Sequence, residues 1–179
     1  MGSYYKIDAI LADAQKVPCT FEIDVPHLGY IDGNSGGDIK KGQQVSLPLW
    51  LCGFLAVQRL GNTQIVDTDL PTAIAPRVVN ALKADPKTVE LRAQATHFYE
   101  FAARVLDIHD RDDIVDVLTE TFKVRAAEIA DQAHNTQGAL GEGVEFLRGL
   151  DEMERQLFRT SHESAKAMRQ WMGEMKKPS

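Results

Sequence analysis

Two acidic segments contain most of the residues that could carry out acid–base chemistry or bind a metal ion. "DIHDRDD", residues 107–113, places His109 among four aspartates, and carboxylates and imidazoles are common metal ligands. "LDEMERQLF" brings together Asp151, Glu152 and Glu154. On a helix these carboxylates fall on two faces, whereas an acid–base pair must converge on one point. Aspartates between helices also cap helix N-termini, so we expect neither segment to be a catalytic or metal site.

The other candidates for chemistry are isolated residues. The sequence has no GxGxxG, Walker A, GxSxG, HExxH or CxxC motif, so the usual nucleotide, hydrolase and zinc patterns are missing and no cofactor is expected. Cys19 and Cys52 are predicted to be buried free thiols, because nothing else indicates secretion. His97 lies on an apolar helix, which is typical of a hydrogen-bonded core histidine. The alternative is a small helical ligand-binding protein or enzyme with a pocket near His97, Tyr99 and His109.

Charge and hydropathy exclude two further classes of protein. The net charge is −6 and both halves of the chain are acidic, whereas a protein that grips nucleic-acid phosphates usually carries a positive stripe. Any contact with DNA should therefore be indirect or weak. The apolar run "LPLWLCGFLAV" is shorter than the ~20 residues that span a bilayer. Asp8 and Asp13 interrupt the N-terminal segment, which argues against a secretory signal, and we expect an intracellular protein.

Residues 1–71 are predicted to form a small β-rich domain. "YKIDAILADAQ" has helical spacing, "VPCTFEIDV" alternates like a half-buried strand, and "QVSL" and "TQIVDT" can add further strands. Pro48 suits the first turn of a helix that should run from Leu49 to Leu60 and end at Gly61. A module of this size buries little surface and is marginal by itself.

Residues 72–179 are predicted to form a helical domain, so the fold class is α+β. A short helix ends before Pro86, and Pro86 opens a second helix whose apolar stripe reaches Val105. A third helix covers about 112–134, and "NTQGALGEG" ends it. The last helix should run from about Val144 to Lys176, roughly 50 Å. Its far end carries Trp171 and nearby methionines, which favours coverage by another chain.

The order of three segments resembles one family. "YYKIDAILADAQKVPCTFEIDVPHLGYI", then "SLPLWL", then "LDEMERQLFRTSHESAKAMRQWM" are similar to the Psf-three family of the GINS complex, particularly its fungal form. The resemblance covers nearly the whole chain, from Tyr4 to Trp171. "DP" at residues 85–86 and "HFY" at residues 97–99 also stand where the family has them.

The resemblance implies a nuclear, non-catalytic protein of chromosome replication. GINS is a tetramer of related subunits, each with a helical A domain and a small β-rich B domain, and it joins the Cdc-forty-five protein and the MCM ring as a scaffold of the replicative helicase. The predicted domains would then be B, residues 1–71, and A, residues 72–179. The residues predicted to contact sister subunits or the neighbouring domain are Trp50, Phe54, Leu150, Met153, Leu157, Phe158, Trp171 and Met175.

Overall fold

The described residues form two compact units. The computed structural model covers residues 6–33, 36–134 and 142–175, without the side chains at positions 32, 142, 143, 174 and 175. The first unit contains the chain up to residue 78 together with 100–111, and the second contains 79–99 and 112 onward. The α+β fold class is confirmed, with a small N-terminal sheet and a long C-terminal helix. The division into domains at residues 71 and 72 stays a prediction.

The first unit is built around a three-stranded antiparallel sheet with strand order β2-β1-β5. Cys19 in the central strand pairs with Val45 on one side and with Thr68 on the other. Alternate residues of β1 are buried, as the period of two requires of a sheet with one covered face. The elements of this unit are α1 Ile7–Asp13, β1 Lys16–Phe21, β2 Gln44–Pro48, α2 Leu49–Val57, β3 Arg59–Leu60, β4 Thr63–Gln64 and β5 Val66–Thr68.

The predicted helix from Leu49 to Leu60 is too long by one turn. The helix ends at Val57, and β3 and β4 then form a hairpin. Gly61 has φ of 65°, a left-handed conformation that suits its place in the tight turn between the two strands. The glycine therefore serves a hairpin, whereas its position alone had indicated a helix cap.

The described helices of the second half differ from the prediction in where they break. They are α3 Pro76–Ala84, α4 Leu91–Gln94, α5 Phe98–Leu106, α6 Asp112–His134, α7 Glu142–Arg148 and α8 Glu152–Met175. The bounds predicted for α6 are confirmed, and Val115 on this helix is exposed. Residues 135–141 of the predicted loop lie outside the described residues.

The prediction of a single helix from Pro86 to Val105 is wrong, because the chain breaks the helix at two places. Residues 86–89 form a turn in which the Asp85 carboxylate accepts the Lys87 N–H at 3.0 Å. Ala95 is extended, and the Thr96 carbonyl accepts the Glu152 N–H at 3.0 Å. The predicted apolar stripe is nevertheless buried on both sides of the second break. Its residues are Leu91, Ala95, Phe98, Ala102 and Val105.

The prediction of a single last helix from Val144 to Lys176 is also wrong, because residues 149–151 separate α7 from α8. The Glu154 N–H donates to the Asp151 carboxylate at 2.8 Å, and the Asp151 N–H donates to the Glu154 carboxylate at 3.2 Å. This reciprocal pair is a capping box, which satisfies two backbone donors at a helix start. The motif Asp-x-x-Glu at 151–154 was the sequence signal for the break.

A buried arginine joins four segments of the second unit. Arg125 of α6 is fully buried and donates to both Glu154 carboxylate oxygens at 2.7 and 2.9 Å. Its remaining guanidinium nitrogen donates to the Pro86 and Val89 carbonyls at 2.9 and 3.1 Å. The guanidinium carbon lies 5.0 Å from the ring centre of Phe146 in α7. Such a paired, planar cation fixes the position of α8 against α6 and the turn before α4.

Burial in this network raises the pKa of Asp151 to about 6, and the neighbouring Glu154 carboxylate adds to the rise. A carboxyl whose pKa is higher in the folded state stabilises the fold below its unfolded pKa and loses that contribution as pH rises through the folded value. Asp151 should therefore favour folding most at about pH 4 and least above pH 6.

We expect Asp151→Asn to remove this dependence, because the amide oxygen can still accept the Glu154 N–H and carries no charge. The free energy of unfolding of the variant, relative to the native chain, should rise between pH 4.5 and 7.5 by at most about 2 kcal/mol. Urea unfolding of the full chain at both pH values measures it. Asp116→Asn, on an exposed part of α6, controls for net charge, and an equal difference at both pH values would contradict the assignment.

Candidate subunit interface

Helix α2 carries two of the predicted contact residues on its outer side. It follows β2 directly, and its first N–H, from Leu49, donates to the Gln15 carbonyl at 2.9 Å. Leu49 and Cys52 are buried. Trp50 and Phe54 are 59% and 60% exposed. Leu51 and Leu55 of the same helix are half-buried.

Helix α1 also carries exposed apolar residues, and it was not among the predicted contacts. It packs against α2, and ion pairs from Lys6 to Glu100 and from Asp13 to Arg104 attach it to α5 within the same unit. Its helical spacing had indicated an apolar face but not that the face stays uncovered. We define the α1–α2 surface by its exposed apolar residues: Ile7, Ile10, Leu11, Trp50, Phe54 and Val57.

A polar cavity of about 520 Å³ lies beside α2 in the first unit, and Trp50, Asp107 and His109 are part of its lining. The His109 Nε2 atom is 3.1 Å from the Thr68 hydroxyl, and burial lowers the pKa of this histidine. Tyr99, which the alternative pocket required, belongs to the second unit and donates its hydroxyl to Glu154 at 3.1 Å. Its phenol therefore serves the structural network around Arg125.

The first half of α8 packs on α6, and the predicted contact residues there are partly covered by this chain. Leu150, just before α8, is 1% exposed, and Met153, Leu157 and Phe158 of α8 are half-buried. The Phe158 ring stacks on His162, which in turn contacts the Ala133 carbonyl of α6 at 3.3 Å. Leu150 thus belongs to the core of its own unit, while the other three keep part of their surface free.

The second half of α8 presents an apolar surface. Trp171 is 55% exposed, and Met168 and Met172 are also exposed. The methionines line a shallow groove of about 340 Å³ together with the small residues Ser164 and Ala165. We define the α8 surface as Met168, Trp171 and Met172. The side chain of Met175 lies outside the described residues.

These surfaces offer packing rather than chemistry. In the described ranges, no group of three or more His, Cys, Asp or Glu residues could hold a metal ion. No helix among the described residues is long and apolar enough to cross a bilayer. Exposed tryptophan and methionine in patches are typical of protein–protein contact sites. Each predicted contact residue nevertheless stays a prediction.

Two family models match the chain. The PSF3 N-terminal domain matches residues 5–57, and the helical bundle domain of GINS complex proteins matches residues 73–173. A protein from Phaeosphaeria nodorum named DNA replication complex GINS protein PSF3 is 60% identical over 178 residues, which is 99% of each chain. The chain belongs to the PSF3 family of GINS proteins. The resemblance in the sequence is thereby confirmed.

The family relationship extends to distant fungi. The PSF3 protein of Aspergillus fumigatus is 60% identical over 98% of this chain and 99% of its own. That of Saccharomyces cerevisiae is 32% identical over 94% of this chain and 97% of its own. The N-terminal PSF3 match contains all of α1 and α2, and the helical-bundle match contains the α8 surface.

Proposed function

We propose that this chain is the PSF3 subunit of a GINS tetramer in DNA replication, where it acts as a non-catalytic scaffold of the replicative helicase during initiation and elongation. The observation that carries the proposal is the pair of exposed apolar surfaces in a chain whose relatives are named as members of a complex. Each surface needs a partner, because large exposed patches of this kind are costly in water.

The three related GINS subunits are the occupants that we propose for these surfaces. Interfaces between permanent subunits are large and apolar, like a domain core cut in half. Trp50 and Trp171 have the character of interface anchors, since tryptophan supplies much area at a small cost in side-chain entropy. Met153, Leu157 and Phe158 keep free surface that can extend the contact along α8.

A non-catalytic role is supported by the way the polar residues are used. Of the three residues proposed for an alternative pocket, Tyr99 is held in the Arg125–Glu154 network, whose atoms bond to one another and to backbone carbonyls. The acidic residue Asp151 caps α8. These groups hold helices together, which is the task of a structural subunit.

The contacts with the MCM ring and with the Cdc-forty-five protein, and the nuclear location, follow from the family resemblance. The acidic net charge of −6 supports a partner that is protein rather than DNA, because a direct grip on phosphates requires positive side chains.

Affinity purification of the tagged full chain from its own cells, followed by mass spectrometry, tests the proposal. We expect three GINS chains of similar size in equal amounts, with MCM subunits and the Cdc-forty-five protein retained at low salt. Recovery of the chain by itself, or with unrelated proteins only, would contradict the proposed tetramer. Recovery of the tetramer without the helicase components would support the proposed subunit role and contradict the proposed scaffold role.

A further inference from the structure

Two cysteines meet in the core of the first unit. The sulfur of Cys19 in β1 lies 2.8 Å from the sulfur of Cys52 in α2, and both are free thiols. The residues are 0% and 1% exposed. They are 33 positions apart in sequence, so the fold itself brings them together. Their side chains already point at each other, which is the main geometric requirement for a bond between two sulfurs.

We propose that Cys19 and Cys52 form an oxidation site, in which a small peroxide converts the two thiols to a disulfide that joins the central strand β1 to α2. The two sulfurs belong to the first unit, so the site does not depend on the proposed function. The disulfide would be a reversible modification that holds the helix carrying Trp50 and Phe54.

The hydrogen bond between the thiols decides which sulfur reacts first. The Cys19 S–H donates to the Cys52 sulfur, which lowers the pKa of Cys52 and, together with burial, raises the pKa of Cys19. The Cys52 proton is therefore lost first. Because the thiolate is the nucleophile in sulfur chemistry, Cys52 is the attacking residue and Cys19 the resolving one.

The reaction balances with one peroxide. The Cys52 thiolate attacks one oxygen of hydrogen peroxide, the O–O bond breaks, and the departing hydroxide takes a proton to leave as water. Cys52 is then a sulfenic acid. The Cys19 sulfur loses its proton and attacks the Cys52 sulfur, the S–O bond breaks, and a second water leaves. Two thiols are oxidised by two electrons and the peroxide is reduced to two waters.

The burial of both sulfurs favours a small oxidant over a large one. Oxidised glutathione would have to form a mixed disulfide with a sulfur that has almost no exposed surface, whereas hydrogen peroxide is close to water in size. Access requires only a local opening of α2, a helix of nine residues at the surface of its unit. Oxidation should thus be faster with the peroxide than with oxidised glutathione at equal oxidising equivalents.

The test is made on the purified full chain. The chain is treated with hydrogen peroxide, quenched with acid, unfolded, alkylated and digested. Mass spectrometry should find the peptides of Cys19 and Cys52 joined, two hydrogen atoms lighter than the sum of the reduced peptides and free of alkylation. A thiol reductant should reverse the product. The variant Cys52→Ser should leave Cys19 open to alkylation after the same treatment.

Three results would overturn the proposal. The first is full alkylation of both cysteines after peroxide treatment. The second is oxidation of each cysteine to a separate sulfinic acid, and the third is a disulfide from either cysteine to a different chain. Oxidised glutathione acting as fast as peroxide would overturn the assignment of a small oxidant. The search for joined peptides is made on the native chain, so its result does not depend on whether a variant folds.

Discussion

Replacing Arg125 by methionine should lower the free energy of unfolding by about 3–5 kcal/mol. The substitution leaves the Glu154 carboxylate, which is 0% exposed, without its cation. It also removes the donors to the carbonyls of Pro86 and Val89. An unpaired buried charge costs far more than the pair contributes, because the charge has been taken out of water without compensation. Urea unfolding of the full chain measures the loss.

Two variants show whether burial of the charge is the cause. Lys123→Met removes the same charge two residues earlier on α6, where the lysine is exposed and paired with Glu120 at 3.3 Å, so it should cost much less. The double variant Arg125→Met with Glu154→Leu should recover part of the loss, since no charge is left buried. A loss in Arg125→Met no larger than in Lys123→Met would contradict the role assigned to the network.

Replacing Trp50 or Trp171 by alanine should sharply reduce the yield of the proposed GINS tetramer when this chain is coexpressed with its three proposed partners. Loss of a tryptophan anchor typically costs ~2 kcal/mol or more, which weakens binding about 30-fold. Both side chains are more than half exposed in this chain, so the fold of each unit should be little affected. The yield of intact complex after gel filtration is the measurement.

The matched control is Tyr30→Ala. Tyr30 is an aromatic residue that is 63% exposed, and it belongs to neither the α1–α2 surface nor the α8 surface. Its loss should leave the yield unchanged. Wild-type yields for both tryptophan variants would contradict the assignment of the two surfaces, and a reduced yield for Tyr30→Ala would show that the reduction is not specific to them.

Local patterns in the sequence were sufficient for the α+β class, for the presence of β1 and β2, and for the apolar stripe from Leu91 to Val105. The same patterns placed β3 in a helix and joined β4 and β5 into one strand. They failed at the breaks within that stripe and between α7 and α8, because hydrophobic spacing continues across a turn. The breaks are fixed by contacts that are distant in sequence, such as the one between the Thr96 carbonyl and Glu152. The Asp-x-x-Glu motif at residues 151–154 is a local signal for one of these breaks, although the prediction of one continuous helix passed over it.

Arg125 shows the second limit of sequence reasoning. It lies in the buried stripe of α6, between Leu118 and Ile129, yet an arginine at such a position is ordinarily assumed to face water. Its burial depends on Glu154 and on two carbonyls from another segment, and no spacing rule connects these residues. For the contact surfaces, helical spacing found the apolar faces of α1, α2 and α8, but it could not tell which of them this chain covers.

The exposed apolar residues of the α1–α2 and α8 surfaces should need other chains to cover them. Light scattering of the purified full chain without its partners, over a range of concentrations, measures whether they do. We expect self-association that increases with concentration and that disappears when the three proposed GINS partners are added and a single tetramer forms. A monodisperse, stable monomer at every concentration would contradict it.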